Sequence, residues 1–308
     1  MSAIADYDII ILGAGPAGLT AGIYALRRGL KTLVLDKAFP GGRVMEAPLI
    51  ENYPGFPEPI TGAELAQRML NQFERLGGRV KFPEEVISLE LRGDVKKVVT
   101  RKASYTAKAV ILAIGVQRKK LLIPGEAEFL GRGVSYCAVC DGPFFKGKVV
   151  AVVGSEDEAF QDALFLSDMA SKVVLVPNSA QIMASASLIN RIKEKPNVEI
   201  MEKTVANAIE GDQLVRTLKV KSLINGEVKN VPVDGVFIAV GYVPTTEIVK
   251  KAGVEVDERG CIKVDRKQKT NLEGVYAAGD CTCGGMQIIT AAGEGARAII
   301  SASLSIRK

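Results

Sequence analysis

Residues 7–28, YDIIILGAGPAGLTAGIYALRR, are the stretch from which the fold can be inferred. The first six residues form an almost unbroken apolar run that ends at a glycine, which is the pattern of a buried parallel strand. Residues 17–28 then have helical spacing, and residues 31–36 (KTLVLD) give a second strand. A strand, a helix and a strand in this order predict a βαβ unit and an α/β fold.

Three glycines join the first strand to the helix. Gly13, Gly15 and Gly18 form G-x-G-x-x-G, and Asp36 ends the next strand. The first glycine permits a tight turn, the second lets the backbone approach a pyrophosphate, and the third allows close packing of the helix. The helix N-terminus adds amide donors, and Asp36 can accept hydrogen bonds from a ribose. The pattern predicts a dinucleotide site; the alternative is a glycine-rich turn without a ligand.

The same order of elements recurs in the middle of the chain. Residues 148–153 (KVVAVV) predict a strand ending at Gly154, residues 157–169 a helix, and residues 172–176 another strand. A third glycine-ended strand is predicted at residues 275–278. The chain therefore contains two units that resemble nucleotide-binding domains.

Length and composition set limits on the protein class. The chain has 308 residues, of which 47% are apolar, which is enough for two domains with their own cores. No apolar run approaches the ~20 residues that span a bilayer, and no export signal precedes the first strand. The net charge of +5 is spread along the chain without a nucleic-acid-binding arm. We expect a cytoplasmic protein with neither membrane nor nucleic acid as a partner.

A pair of cysteines is the strongest catalytic candidate. Cys137 and Cys140 form C-x-x-C, and Asp141 follows directly. Two intervening residues let the sulfurs meet across one turn of chain, so a disulfide can form and cycle. The chain has no histidine, so a carboxylate is the natural proton carrier for the departing thiolate. Two alternatives remain: an inert buried pair, or half of a zinc site that Cys281 and Cys283 complete. The C-x-C spacing is unusual for zinc, and we predict no metal.

The other cysteines give weaker signals. Five cysteines in a cytoplasmic chain do not indicate a structural disulfide framework. Cys281 and Cys283 are either an auxiliary redox pair or cysteines without a function, and Cys261 is expected to be inert in a hairpin.

Several motifs together resemble one family. They are GAGPAGLTAGIYALR at the start, GGRV at 41–44, ENYPGF at 51–56, ILAIG at 111–115, GRGVSYCAVCDG at 131–142 and GVYAAGDC at 274–281. The chain resembles the low-molecular-weight thioredoxin reductases over nearly its whole length. The resemblance implies two nested Rossmann-like domains of three-layer ββα type. Residues 1–116 and 246–308 would bind FAD, and residues 117–245 would form an inserted NAD(P)-domain-like module that carries the dithiol.

The resemblance also assigns roles to individual residues. The implied cofactor-binding positions are Gly13, Ala14, Gly15, Pro16, Ala17, Gly18, Asp36, Lys37, Gly41, Gly42, Arg43, Asn52, Val86, Ala113, Gly115, Gly279, Asp280, Gln287 and Ile288. Reduced FAD would pass electrons to the Cys137–Cys140 disulfide, and the dithiol would then reduce a thioredoxin-like or glutaredoxin-like protein. By analogy Cys140 faces the flavin, Cys137 attacks the partner protein and Asp141 is the acid. Homodimers and relative motion of the two domains are also implied.

The second nucleotide motif departs from the family. Residues 154–159 read GSEDEA, so one glycine remains and three acidic residues stand near the expected pyrophosphate. At ~4 Å and an effective dielectric of ~20, each repulsion costs about 4 kcal/mol. The family's arginine-rich segment for the 2′-phosphate is replaced by VPNSAQIM at 176–183. Arg43 and Met286 also differ from the family near the expected flavin edge.

These departures predict an electron donor other than NADPH. The chain resembles relatives that a reduced deazaflavin coenzyme or ferredoxin supplies, and both donors carry negative charge. The basic run Arg118-Lys119-Lys120 suits either donor, although a solvated linker is the simpler interpretation. The alternatives are an NAD(P)H-dependent reductase with a divergent site, an FAD-dependent dithiol oxidase, and a non-catalytic flavin- or zinc-binding protein.

Overall fold

The computed structural model describes residues 5–47 and 49–306, and the chain divides into two compact units. The second unit, Arg118–Tyr242, is inserted into the first, which ends at Gln117 and resumes at Val243. The chain leaves the first unit one residue later, and returns to it three residues earlier, than the boundaries that the sequence predicts. Each unit contains a sheet with a core of parallel strands, as expected for nested Rossmann-like domains.

The strands and helices whose bounds the sequence predicts are all present, with ends shifted by at most two residues. The first are β1 (Tyr7–Leu12), α1 (Pro16–Arg27), β2 (Thr32–Leu35), α2 (Gly62–Arg75), β3 (Val80–Lys81), β4 (Val86–Glu90), β5 (Lys96–Thr100), β6 (Ser104–Leu112) and β7 (Val116–Arg118). Next come β8 (Val134–Ser135), α3 (Ala138–Asp141), β9 (Val149–Val153), α4 (Asp157–Ser167), β10 (Lys172–Val176), α5 (Ala186–Lys193), β11 (Val198–Ile200), β12 (Thr204–Gly211), β13 (Val215–Ser222), β14 (Val228–Pro232), β15 (Gly235–Ile238) and β16 (Tyr242–Pro244). The last are α6 (Glu247–Lys251), β17 (Val275–Ala277) and α7 (Ile288–Ile306), and short 3-10 turns cover Gly42–Glu46, Gly142–Phe145 and Asp280–Thr282.

The sheet of the first unit has the order β3-β2-β1-β6-β5-β4, and β17 also pairs with β6. Strand β1 is parallel to β2 and β6, whereas β4, β5 and β6 form an antiparallel meander. Ile9 and Ile11 pack in the core under α1, α2 and α7, and Ile10 and Leu12 pack in the core on the opposite face. Both faces are covered, so the strand is apolar throughout rather than alternating.

The second unit has three layers. Its parallel sheet has the order β11-β10-β9-β15-β8, and β12, β13 and β14 form a separate antiparallel sheet. Val150 and Val152 of β9 pack with residues of α4 such as Phe160, whereas Ala151 and Val153 pack with residues of the antiparallel sheet. The predicted three-layer ββα fold is therefore confirmed for this unit.

Within residues 5–47 and 49–306, no helix is long and apolar enough to cross a bilayer.

Candidate redox and cofactor sites

Cys137 and Cys140 are joined by a disulfide at the end of β8, with their Cα atoms 5.3 Å apart. Cys137 is the N-cap residue of α3, and its Sγ accepts a hydrogen bond from the Cys140 amide at 3.2 Å. The side chain of Cys140 is exposed and that of Cys137 is half-buried. The short turn of α3 therefore brings the sulfurs together and leaves one of them open to solvent.

A buried serine links the predicted acid to this pair. Ser135 Oγ donates to Asp141 Oδ2 at 2.6 Å and accepts from the Cys137 amide at 3.0 Å. Ser135 is only 4% exposed, so these bonds are shielded from water and fix the carboxylate beside the dithiol. Sequence reasoning missed this residue. Its signal was the position two residues before Cys137, where serine commonly bonds to nearby backbone.

Tyr136, which lies between this serine and the first cysteine, is anchored by a buried acid, Glu126. The Tyr136 hydroxyl donates to Glu126, which is 4% exposed and also accepts from the amides of Leu121 and Leu122. Burial, and then the Glu126 carboxylate, raise the pKa of the Tyr136 phenol well above its ordinary value, so the phenol stays a neutral donor. No sequence motif pointed to Glu126, because its partners become neighbours only through folding.

The first glycine motif has one open position between two crowded ones. A Cβ atom on Gly13 would lie 2.1 Å from the Ala113 carbonyl oxygen, and one on Gly18 would lie 1.8 Å from the Gly13 oxygen. A Cβ atom on Gly15 would meet no atom closer than 3.9 Å. Gly13 and Gly18 therefore serve packing, whereas Gly15 borders free space at the start of α1, where a pyrophosphate could approach the backbone.

Asp36 holds this loop in place. Its Oδ2 accepts from the Ala14 amide at 2.6 Å and its Oδ1 accepts from the Ala38 amide at 2.9 Å. Burial raises the pKa of this carboxyl, and the two amide hydrogen bonds partly oppose that shift. A carboxylate has further lone pairs, so these contacts leave capacity for a ribose hydroxyl.

Four predicted residues from distant parts of the chain meet in two pairs. Arg43 Nη1 donates to Asp280 Oδ2 at 3.3 Å, and Asn52 Nδ2 donates to Gln287 Oε1 at 3.1 Å. Burial raises the pKa of the Asp280 carboxyl, and the Arg43 guanidinium lowers it in part. The first unit thus assembles predicted contacts from both ends of the chain.

The other predicted positions surround the same loop or lie at strand ends. The Gly41 amide donates to the Ala14 oxygen at 2.9 Å, and a Cβ on Gly42 would lie 3.0 Å from Gly15 Cα. The Gly279 amide donates to Glu294, a residue that sequence reasoning missed, at 2.7 Å. The remaining positions are the helix residues Pro16 and Ala17, Lys37 after β2, Val86 at the start of β4, Ala113 and Gly115 after β6, and Ile288 at the start of α7.

The acidic residues at the start of α4 are engaged with the protein's own groups. Glu158 forms an ion pair with Arg118 at 3.0 Å and accepts a hydrogen bond from the Tyr242 hydroxyl. Asp157 Oδ1 accepts from the Ser185 amide at 2.6 Å. The Arg118 side chain is only 17% exposed, so the interpretation of this arginine as part of a solvated linker is wrong. The linker arginine and the helix acid are 40 residues apart and form one interaction.

The segment that replaces the family's arginine-rich stretch is fixed against this helix end. The Met183 amide donates to the Ser155 oxygen at 2.8 Å, and Asn178 Oδ1 accepts from the Ala206 amide at 2.9 Å. The Met183 bond and the Ser185 amide bond to Asp157 hold the end of this segment beside the start of α4, whereas the Asn178 bond ties its beginning to β12. The start of α4 is therefore bordered by acidic side chains and by a segment that the chain's own hydrogen bonds hold in place.

The remaining cysteines differ from the prediction. Cys261 is joined to Cys283 by a disulfide, with the Cα atoms 5.7 Å apart, and Cys281 is a buried free thiol. The alternative of a Cys281–Cys283 redox pair is therefore wrong, and Cys261 is not a lone thiol but the partner of Cys283. Three of the four cysteines of the zinc alternative, Cys137, Cys140 and Cys283, are in disulfides and offer no thiolate. The fold brings Cys261 and Cys283 together although 22 residues separate them.

Comparisons with known proteins cover nearly the whole chain. The sequence profile of the pyridine nucleotide-disulphide oxidoreductases matches residues 7–295. A thioredoxin reductase of Treponema pallidum is 40% identical over 299 residues, which are 97% of this chain and 96% of the relative. A solved thioredoxin reductase structure from Lactococcus lactis is 37% identical with a TM-score of 0.95, covering 98% of this chain and 99% of that one. A solved ferredoxin-flavin thioredoxin reductase from Clostridium acetobutylicum is 37% identical with a TM-score of 0.54, covering 98% and 99%.

Proposed function

We propose an electron route for this chain, which belongs to the thioredoxin reductases of the pyridine nucleotide-disulphide oxidoreductase family. The protein is an oxidoreductase that acts on sulfur groups. In the proposed route, electrons pass from a donor other than NADPH through FAD and the Cys137–Cys140 disulfide to a thioredoxin-like protein.

The first unit has the features that FAD requires. The open position at Gly15 and the start of α1 would take the pyrophosphate, and Asp36 would take the ribose. The Arg43–Asp280 and Asn52–Gln287 pairs would contribute to the flavin end of the site. Bound FAD would supply the two electrons that reduce the disulfide. Since each feature is formed within one unit, the residues fit this cofactor.

The groups of the second unit perform the sulfur chemistry. Reduction of the Cys137–Cys140 disulfide takes two electrons and two protons and gives two thiols. Asp141, held by Ser135 at 2.6 Å, is the proposed carrier of the proton for a departing thiolate. The Cys137 thiolate then attacks a sulfur of the partner protein's disulfide, which expels the partner's other sulfur as a thiolate. Attack by Cys140 on Cys137 Sγ releases the partner as a dithiol and restores the disulfide.

One observation carries the proposal about the donor: the start of α4 is occupied by the protein's own interactions. A helix N-terminus favours an anion, but in this chain the N-cap residue Glu156 and the first-turn residues Asp157 and Glu158 already place negative charge there. A pyrophosphate there would face Glu156 and would lie beside the segment that the Ser185–Asp157 and Met183–Ser155 hydrogen bonds hold in place. We therefore favour a reduced deazaflavin coenzyme or ferredoxin over NADPH. The similarity to a ferredoxin-flavin thioredoxin reductase supports the ferredoxin alternative.

The test is anaerobic reduction of the bound flavin with four donors offered separately. They are NADPH, NADH, a reduced deazaflavin coenzyme and reduced ferredoxin, and the loss of visible flavin absorbance is followed. We expect rapid bleaching by the deazaflavin or by ferredoxin and negligible bleaching by micromolar NADPH. Rapid bleaching by NADPH would refute the proposal about the donor and leave the sulfur chemistry untouched.

The sulfur chemistry has its own control. In Cys137→Ser and Cys140→Ser proteins the flavin should still be reduced by the effective donor, but no dithiol should appear in an added thioredoxin. Undiminished dithiol production by either variant would contradict the assigned route. This separation lets the donor and the dithiol be judged independently.

A further inference from the structure

The Cys261–Cys283 disulfide joins two segments next to predicted cofactor residues. Cys261 follows the turn at Asp257–Gly260 and is 3% exposed. Cys283 comes directly after the 3-10 turn that carries Asp280, and it is half-buried. The bond thus fixes the beginning of the loop at residues 283–287, which leads into α7.

This loop has an unusual backbone. Cys283 and Met286 have φ angles of 57° and 53°, in the left-handed region that side chains other than glycine, asparagine and aspartate rarely adopt. Residues 284–287 are exposed. Non-glycine residues in this region persist when the surrounding structure holds them there. The disulfide provides a covalent restraint at one end of the loop, so its loss would let the loop relax.

The position of the two sulfurs favours exchange with an outside thiol. Cys283 is the less buried partner, so an incoming thiolate would attack its Sγ and expel Cys261. The remaining cysteine, Cys281, is fully buried, and its Sγ bonds to the carbonyl oxygens of Leu112 and Ala278. Burial raises the pKa of the Cys281 thiol to about 12, so this neighbour does not act as a competing nucleophile at neutral pH.

We propose that Cys261–Cys283 is a second thiol–disulfide exchange site, which a reduced dithiol protein of the thioredoxin class opens, and that its reduction releases the loop at residues 283–287. A thiolate of the thioredoxin-class protein attacks Cys283 Sγ and forms a mixed disulfide, and Cys261 leaves as a thiolate and takes a proton. The second thiol of the thioredoxin-class protein then attacks its own sulfur in the mixed disulfide and displaces Cys283, which takes another proton. Two electrons pass to the pair, and the dithiol becomes a disulfide.

The product of the enzyme is a dithiol protein of this class, so reduction of the site would respond to product accumulation. Release of the loop would also free Gln287 from its contact with Asn52. That consequence for cofactor binding rests on the proposed FAD site. The exchange and the loop release do not, and both are measured without turnover.

Exchange is tested in the full chain with Cys137→Ser and Cys140→Ser, which removes the first dithiol. The oxidised protein is incubated with reduced thioredoxin, quenched with acid, unfolded with an alkylating reagent and analysed by peptide mass spectrometry. Cys281 is alkylated in every sample and serves as the internal standard. We expect Cys261 and Cys283 to be alkylated only after thioredoxin treatment. A pair that stays bonded under these conditions, or that is already free beforehand, overturns the proposal.

Loop release is tested by hydrogen exchange on the oxidised and reduced forms. Amides in residues 283–287 should exchange at least about tenfold faster after reduction and in a Cys261→Ser, Cys283→Ser protein. Glu258→Ala, an exposed change in the same turn, is the matched control and should leave the rates unchanged. Equal exchange rates in the oxidised and reduced forms would refute the release. These results remain interpretable if the donor proposal fails.

Discussion

Ser135→Ala should slow dithiol production without disturbing the fold. The change removes the Oγ that donates to Asp141 at 2.6 Å and accepts from the Cys137 amide at 3.0 Å. The Asp141 carboxylate then loses its fixed orientation beside the sulfurs. The substitution tests whether this serine positions the proposed acid, a role that no sequence motif revealed.

The size of the effect follows from the kind of hydrogen bond. A hydrogen bond to a charged group contributes about 1.5–3 kcal/mol, and Ser135 is too buried for water to replace it readily. If about 2 kcal/mol of this orientation is lost at the proton-transfer step, the rate falls about 30-fold. Asp141→Asn removes the proton carrier itself and should slow the step at least as much. A protein with both changes should be no slower than Asp141→Asn, because the serine acts through the acid.

The assay must not depend on the physiological donor. Photoreduced enzyme is mixed anaerobically with an oxidised thioredoxin, and the appearance of the partner dithiol is followed across a range of pH. Ser135→Ala and Asp141→Asn should alter the pH profile in the same way. Ser167→Ala is the matched control, since the hydroxyl of this buried serine donates to the Leu164 carbonyl of its own helix, at 2.7 Å. The positioning role would be refuted if the double variant were slowed by the product of the two single effects, or if Ser135→Ala left the pH profile unchanged.

Three further outcomes are expected. Gly15→Ala should leave the melting temperature nearly unchanged but reduce FAD retention, whereas Gly18→Ala, whose Cβ would lie 1.8 Å from a carbonyl oxygen, should lower both. If the two variants had equal effects on flavin absorbance and on the melting temperature, the packing argument would be contradicted. Arg118→Ala should lower the free energy of unfolding in urea by about 2 kcal/mol, because it leaves the partly buried Glu158 without its cation. Adding Glu158→Ala should recover part of that loss, and no recovery would contradict a stabilising Arg118–Glu158 ion pair. Native alkylation of Cys281 should be negligible at pH 8, since a thiol pKa of about 12 leaves about one thiolate in ten thousand, and it should rise with pH; fast labelling at pH 8 would contradict its burial.

Much of the fold could be predicted because its signals are local. The apolar run at Tyr7–Leu12, its terminal glycine and the helix that follows are neighbours in the chain, and each restricts the backbone directly. The second unit repeats the pattern, so β9, α4 and β10 could be predicted within two residues of their ends. The Cys137–Cys140 pair is equally local, since a three-residue separation allows a disulfide within one turn.

The pairings that cross the chain could not be read in this way. The C-x-C spacing offered Cys281 as one possible partner of Cys283, but the fold buries Cys281 and places Cys261 beside Cys283 instead. Arg118 appeared to be a linker residue until folding placed Glu158 beside it. Residues close in sequence have few possible arrangements, so their pattern predicts strands, turns and the C-x-x-C disulfide. Residues far apart become partners only when sheet order and burial exclude the other possibilities, and that information resides in the packing of the whole chain.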